Sequence, residues 1–179
     1  MVYLVAAVVL VGALGLTNLV LTLGVIRRLR EHTELLSNRI PPGPSIRAAG
    51  ETVDDFATTT VDGRSFRRGD LADGTLVGFF APGCTACAKQ LSQFLELAEA
   101  WPGGRAGTVA IVVGAAESSR TLCDELGRVA GTVLREGEDP VVSMAFAVTA
   151  FPAYAVVDAG GLVAAGALNL ESLPIRVTV

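Results

Sequence analysis

Apolar residues occur along this chain in one long run at the N-terminus and in several short runs after residue 45. Residues 2–26 are almost wholly apolar and contain no charged side chain. A helix of about 25 residues is roughly 37 Å long, which is enough to cross a bilayer core of ~30 Å. The pattern therefore predicts a transmembrane anchor over 2–26.

A cleaved signal peptide is the alternative interpretation of this run. A signal peptide begins with basic residues and has a shorter apolar core. Here no basic residue precedes the apolar run, and Arg27, Arg28 and Arg30 follow it directly. This order favours an uncleaved anchor.

The segment 27–44 is predicted to be a juxtamembrane helix followed by a proline-rich linker. Arg27 with Glu31, and Arg30 with Glu34, place opposite charges one helical turn apart. Prolines 41, 42 and 44 then end the helix, because proline cannot continue one. We expect the folded domain to cover 45–179.

Within 45–179 the spacing of apolar residues alternates between that of strands and that of helices. The Asp62-Gly63 pair between two short runs predicts a hairpin turn. The predicted strands are 57–61, 64–66, 75–81, 108–113, 133–134, 153–158 and 162–168, and the predicted helices are 84–101, 118–129 with a serine cap, and 140–146. This order predicts an α/β fold with a mixed sheet flanked by helices.

Charge and cysteine content narrow the function classes. The chain has 179 residues, a net charge of −4 and only three cysteines. Four arginines and two glutamates lie within 27–40, which leaves ten basic and sixteen acidic residues after residue 44. An acidic domain of this kind argues against a nucleic-acid partner, and three cysteines are too few for the disulfide framework of a small secreted protein.

The candidate chemistry lies in the segment FFAPGCTAC, where a buried strand leads through a tight turn to Cys84 and Cys87 at a helix start. The free N–H groups and dipole of a helix N-terminus favour a negative sulfur, so we expect the pKa of the first thiol to be lowered. The thiolate is the attacking species in disulfide exchange. The spacing also lets the second cysteine resolve a mixed disulfide formed at the first.

Two other interpretations of this pair exist. A structural zinc site normally takes four protein ligands, and the remaining candidates are Cys123 and the single histidine, His32, which is in the juxtamembrane segment. Two buried, inert cysteines are possible but leave the strand-turn-helix context unexplained. We therefore expect no metal and no cofactor. Cys123 is interpreted as a bystander, and Asp124-Glu125 as a solvent-exposed helix face.

A second candidate element is the segment VTAFPA, in which Pro152 leads into a predicted strand. Proline at this position indicates either a special turn with a cis peptide bond or a trans proline at the first residue of the strand. Both remain open from the sequence alone.

Together, FFAPGCTAC, the aromatic-proline loop and the final hairpin with its Gly-Gly turn resemble the thioredoxin superfamily. The anchor and the leading TTVDGRSF hairpin are similar to the membrane-anchored redoxin branch related to TlpA. Within it, the chain looks most like the MauD family of methylamine utilisation proteins, which the ending LVAAGALNLESL also supports.

The resemblance implies a thioredoxin fold and a thiol-disulfide oxidoreductase. It implies that Cys84 attacks and Cys87 resolves, that Pro152 is a cis-proline facing the pair, and that Phe151 and Ala150 help to bind an extended substrate segment. The implied partners are a cysteine-containing protein substrate, a redox partner protein and, through the N-terminal helix, a membrane.

The chain departs from the family pattern at four positions. Gly78 stands where many thioredoxins have a buried acid, and Gln90 where several membrane-anchored relatives have a glutamate. Gly83 replaces a tryptophan often found before the first cysteine, and Ser92 replaces a helix-kinking proline. Neither usual proton acceptor is present.

Two alternative functions remain open. One is a peroxidase of the alkyl hydroperoxide reductase/thiol-specific antioxidant type, although Ala81 stands where that family has a threonine before its reactive cysteine. The other is a non-catalytic assembly factor that uses the thioredoxin groove for binding. For localisation, the arginines after the anchor favour a cytoplasmic domain, whereas the family likeness and the use of disulfides favour an extracytoplasmic one. We expect a single-pass membrane protein with its domain outside the cytoplasm.

Overall fold

The computed structural model describes residues 45–173 without a gap and, before them, only residues 1, 3, 4, 12 and 15–18. The chain divides into two units between Gly43 and Pro44. In the first unit, residues 3, 4, 12 and 15–18 are helical. None of the helices within the described residues is both long and apolar enough to cross a bilayer. Most of the predicted anchor at 2–26 and all of the predicted juxtamembrane helix and linker at 27–44 lie outside the described residues.

The second unit is built on a five-stranded mixed sheet with a separate hairpin. The hairpin strands are β1 (Ala57–Thr59) and β2 (Ser65–Arg67); the sheet strands are β3 (Thr75–Phe80), β4 (Thr108–Val113), β5 (Thr132–Glu136), β6 (Ala153–Asp158) and β7 (Leu162–Ala167). The sheet order is β5-β4-β3-β6-β7. Strands β3, β4 and β5 are parallel, and β6 and β7 run antiparallel to their neighbours.

Three helices cover the two faces of this sheet: α1 (Thr85–Glu99), α2 (Ala116–Leu126) and α3 (Val141–Ala145). Residues of α1 and α2 form one core cluster with Leu76, Phe80 and Tyr154 of the sheet. Residues of α3 and of the hairpin form the other cluster with Val77 and Phe79. Successive residues of β3 thus point to opposite faces, and all six are buried because helices or loops cover both.

Both edges of the sheet are covered by the segment that precedes β3. On the β5 edge, Thr60 bridges Leu134, and the Val61 N–H donates to the Val133 carbonyl at 2.9 Å. On the β7 edge, the Gly50 N–H donates to the Val163 carbonyl at 2.8 Å. Pairing of this kind satisfies edge groups that would otherwise be open to association with another chain.

Most predicted elements are present, and the differences have local causes. Helix α2 begins at Ala116 rather than at Ser118, and the residue before it, Ala115, makes no side-chain cap. The Ser118 hydroxyl instead donates to the Ala115 carbonyl at 3.0 Å, inside the first turn, so the predicted serine cap is wrong. The edge strand β5 runs for five residues instead of two, because its whole length pairs with β4.

Candidate redox-active site

The two cysteines lie where β3 passes through a tight turn into α1. The Cys84 N–H donates to the Ala81 carbonyl at 3.3 Å, which closes the turn. Gly83 has a φ of 74°, a left-handed conformation that a side chain would strain. Cys84 is the N-cap residue of α1, and the helix proper begins at Thr85.

Cys84 and Cys87 form a disulfide, with their Cα atoms 5.2 Å apart. The Cys84 sulfur also accepts the backbone N–H of Cys87 at 3.0 Å, so the sulfur takes the place of a capping side chain. Cys84 is partly exposed, whereas the Cys87 side chain is only 3% exposed. An incoming sulfur can therefore approach Cys84 more readily than Cys87.

The loop that contains Pro152 lies beside this pair. The peptide bond between Phe151 and Pro152 is cis, so of the two conformations left open by the sequence the structure has the special turn. The Phe151 carbonyl oxygen lies 3.6 Å from the Cys84 sulfur. Ala150 and Phe151 are partly buried, and Pro152 is buried. The structure thus brings Phe151 to Cys84, while the substrate-binding role of residues 150–152 stays a prediction.

The position of the missing buried acid has a steric explanation. A Cβ atom at Gly78 would lie 2.7 Å from a ring carbon of Phe94 and 2.9 Å from one of Phe80. The rings of Phe80 and Phe94 meet edge to face, with centroids 5.0 Å apart. The space that an acidic side chain needs is therefore filled by aromatic packing.

The second departure, Gln90, also has a structural role. Its side-chain oxygen accepts the backbone N–H of Leu170 at 3.2 Å and so joins α1 to the segment after β7. The side-chain oxygen is thus engaged by the backbone of a separate segment.

A pocket of about 240 Å³ lies between α1 and α2, next to the disulfide, and we call it the α1–α2 pocket. Its walls include Cys84, Cys87 and Leu91 from one helix and Leu122 and Glu125 from the other. A larger open depression of about 720 Å³ beside the β1–β2 hairpin has no cysteine in its lining. Of these two cavities, only the α1–α2 pocket is lined by the cysteines of the disulfide.

Glu125 is the residue of this region that sequence reasoning missed. Asp124 is exposed as expected, but Glu125 is only partly exposed and lines the α1–α2 pocket. The signal that could have found it is the helical spacing of Ser118, Leu122 and Glu125, which puts all three on one face of α2.

The third cysteine lies away from solvent in the same core cluster as Cys87. Cys123 is 8% exposed and is not disulfide-bonded. Burial raises the pKa of its thiol, and the positive charge of Arg135 opposes this only in part. Cys123 is thus expected to be an unreactive core residue, in agreement with its interpretation as a bystander.

Comparison with known proteins supports the fold assignment through structure alone. No family model matches the chain, and no curated protein matches it either. The thioredoxin domain of a thiol-disulfide oxidoreductase from Bacteroides vulgatus is similar, with a TM-score of 0.55 and 20% identity over 70% of this chain and 91% of that one.

Two further solved structures show the same relationship. A thioredoxin-family thiol:disulfide interchange protein from Chlorobium tepidum has a TM-score of 0.52 and 24% identity, covering 69% of this chain and 88% of its own. A secreted disulfide oxidoreductase from Mycobacterium tuberculosis, homologous to DsbE of E. coli, has a TM-score of 0.52 and 20% identity over 64% of this chain and 83% of its own. The domain therefore has a thioredoxin fold, and the predicted fold class is confirmed for it.

Proposed function

We propose that this protein is a thiol-disulfide oxidoreductase that exchanges disulfides with cysteine-containing proteins. The observation that carries the proposal is the Cys84–Cys87 disulfide at the start of α1, with the more accessible sulfur beside the Phe151 carbonyl. Each of the three similar structures reported above is described as a thiol-disulfide or disulfide oxidoreductase or interchange protein.

In the reducing direction, the thiolate of Cys84 attacks one sulfur of a substrate disulfide. A bond forms between Cys84 and that sulfur, the substrate disulfide breaks, and the other substrate sulfur leaves as a thiolate that takes up a proton. Cys87 then loses its proton and attacks the Cys84 sulfur, which releases the first substrate sulfur and closes the Cys84–Cys87 disulfide. Two electrons pass to the substrate, and the same steps in reverse oxidise a substrate dithiol.

The substrate segment is expected to lie against residues 150–152. An extended segment can pair with free backbone groups by strand addition. The Phe151 carbonyl is already next to Cys84, so a segment held at Ala150 and Phe151 would have its cysteine beside the attacking sulfur. Partial exposure of Phe151 provides an apolar surface for the neighbouring substrate side chain.

The proposal extends to the location of the domain. Residues 2–26 would anchor it in a membrane as a single-pass protein, and the domain would face the extracytoplasmic side, where a redox partner protein would restore its oxidation state. The support is the uncharged apolar run, the likeness to membrane-anchored redoxins of the TlpA-related and MauD families, and the secreted relative from M. tuberculosis. A reporter fused after Val179 tests the sidedness, and activity of that reporter only in the cytoplasm would overturn this part.

The test of the activity uses the full chain, reduced and purified in detergent, with insulin as the test disulfide. We expect the wild type and Cys123→Ser to reduce insulin at similar rates, and Cys84→Ser to show no turnover above background. Cys123→Ser is the matched control because it removes a cysteine of the same domain without touching the pair. Equal turnover by wild type and Cys84→Ser would refute the proposal.

The same proteins separate the two alternatives. Consumption of hydrogen peroxide by the reduced wild type, with no insulin reduction, would favour the peroxidase. Absence of both activities, together with a cellular phenotype that survives replacement of both cysteines, would favour the non-catalytic assembly factor.

A further inference from the structure

The α1–α2 pocket is formed by two stripes of side chains that face each other. On α1 the stripe is Cys84, Cys87 and Leu91, and on α2 it is Ser118, Leu122 and Glu125. Both helices connect parallel strands on the same face of the sheet, so they run in the same direction. Seven residues of helix rise about 10 Å, so Glu125 is expected at the level of Leu91, roughly that distance along the pocket from Cys84.

Glu125 carries a negative charge without a compensating partner. Its carboxylate makes neither a hydrogen bond nor an ion pair with any part of the chain that the structure describes, although the side chain is partly buried. No lysine, arginine or histidine contributes to the pocket lining. Partial removal of a carboxylate from water is unfavourable unless a cation or hydrogen-bond donor compensates it.

The remaining walls define what kind of group can reach this carboxylate. Leu91 and Leu122 are apolar and partly buried, and they line the pocket from opposite helices. A volume of about 240 Å³ is smaller than the roughly 300–1,000 Å³ typical of pockets for small-molecule ligands. A single long side chain with an apolar stem and a charged end fits this description, as lysine and arginine do.

We propose that the α1–α2 pocket binds a lysine or arginine side chain of the substrate protein, located within a few residues of its reactive cysteine. The stem lies between Leu91 and Leu122, and the cation pairs with Glu125. The proposal rests on the exchange function above and gives that function a substrate preference. The acidic excess of ten basic against sixteen acidic residues after residue 44 favours the approach of a basic segment as well.

The experiment measures the second-order rate constant for the reaction of the full chain, reduced beforehand and kept in detergent, with peptides joined through one cysteine to a fluorescent leaving thiol. Each peptide carries Arg, Gln or Glu at one of four positions, namely the two before and the two after the cysteine. The other flanking residues are uncharged. At the position whose side chain reaches the pocket, we expect the Arg peptide to react about fivefold faster than the Gln peptide at low salt. The Glu peptide should react more slowly still. The preference for Arg should decrease in 0.5 M salt.

Three variants identify the group responsible. Glu125→Gln should remove the preference, so that the Arg, Gln and Glu peptides react at similar rates, and Glu125→Lys should reverse the order of the Arg and Glu peptides. Asp124→Asn is the matched control, because Asp124 is the adjacent, exposed acidic residue outside the pocket lining, and this variant should keep the preference.

Three results would overturn the inference while leaving the exchange function intact. They are equal rates for the three peptides at every position, equal loss of preference in Asp124→Asn and Glu125→Gln, and equal slowing of all peptides by Glu125→Gln. The last would assign Glu125 to proton transfer instead of substrate binding. No reaction with any peptide or with a small aromatic disulfide would overturn the exchange function together with the inference.

Discussion

Helices α1 and α3 both begin beyond the carboxyl ends of parallel strands, yet their first turns are satisfied in opposite ways. At α1, the Cys84 sulfur accepts the Cys87 N–H at 3.0 Å and remains partly exposed. At α3, the buried carboxylate of Glu136 accepts the N–H of Val142 at 2.5 Å, and the N–H and hydroxyl of Ser143 at 3.0 and 2.6 Å.

The start of α3 thus has a structural role, whereas the start of α1 carries a sulfur that can react. At α3, an acid from the end of β5 supplies a permanent acceptor, so this end is closed to other anions. At α1, the acceptor in the first turn is the Cys84 sulfur, and among the described residues no carboxylate caps this helix start. A negative sulfur is therefore the group that can use the free N–H groups of α1.

Placing an acid at position 78 is expected to have the largest effect. Gly78→Asp would force a carboxylate into the contact between the Phe80 and Phe94 rings, where a Cβ alone would be 2.7 Å from a ring carbon. Overpacking and an unpaired buried charge should lower the free energy of unfolding by more than about 4 kcal/mol. Urea unfolding followed by circular dichroism measures this, with Gly69→Asp, an exposed position with no nearby atom, as the control. A stable Gly78→Asp domain would show that the site tolerates an acid.

Removing the hydrogen-bond acceptor at the start of α3 should have the next largest effect. Glu136→Ala leaves two buried N–H groups and one hydroxyl without an acceptor, so we expect a loss of about 3 kcal/mol in the free energy of unfolding. Insulin reduction by the folded fraction should not change. Glu138→Ala, two residues on and exposed, should alter stability by less than about 0.5 kcal/mol. Equal stability of the two variants would show that the Glu136 contacts do not stabilise the domain.

Once the pair is reduced, the pKa of Cys84 should be lower than the pKa of Cys87. The helix start and the Cys87 N–H favour the Cys84 thiolate, whereas burial disfavours the thiolate of Cys87. Burial also raises the pKa of Cys123. Alkylation rates against pH on variants with a single cysteine should therefore rise at the lowest pH for Cys84. Profiles that coincide near the free-thiol pKa of ~8.5 would contradict the assignment.

The smallest effect concerns Gln90, which holds the segment after β7 and does not act on the sulfurs. Gln90→Leu removes the acceptor of the Leu170 N–H and should cost about 1 kcal/mol of stability. Gln90→Glu keeps an acceptor and should have little effect. A change in the pH dependence of insulin reduction in Gln90→Glu, with stability unchanged, would instead place residue 90 close enough to act on the cysteines.

The contrast also shows which parts of the structure can be predicted from sequence. Buried strands such as β4 agree with prediction residue by residue, because their apolar runs are short and sharply bounded. The first turn of α1 is recognisable in the sequence because the two cysteines are only three residues apart. The contacts of Glu136 and Gln90 are not, because each depends on how separate elements pack, and a polar residue on a strand or helix gives no sign of its tertiary partner.

The central claim is that Cys84 attacks and Cys87 resolves, and trapping tests it most directly. In cells that carry Cys87→Ser, attack still occurs but no second thiol releases the substrate, so a non-reducing gel should show adducts that reductant removes. Cys84→Ser should give few adducts, because Cys87 is only 3% exposed. Mass spectrometry should identify the trapped proteins as cysteine-containing. Abundant adducts with Cys84→Ser and none with Cys87→Ser would reverse the two roles and contradict the account.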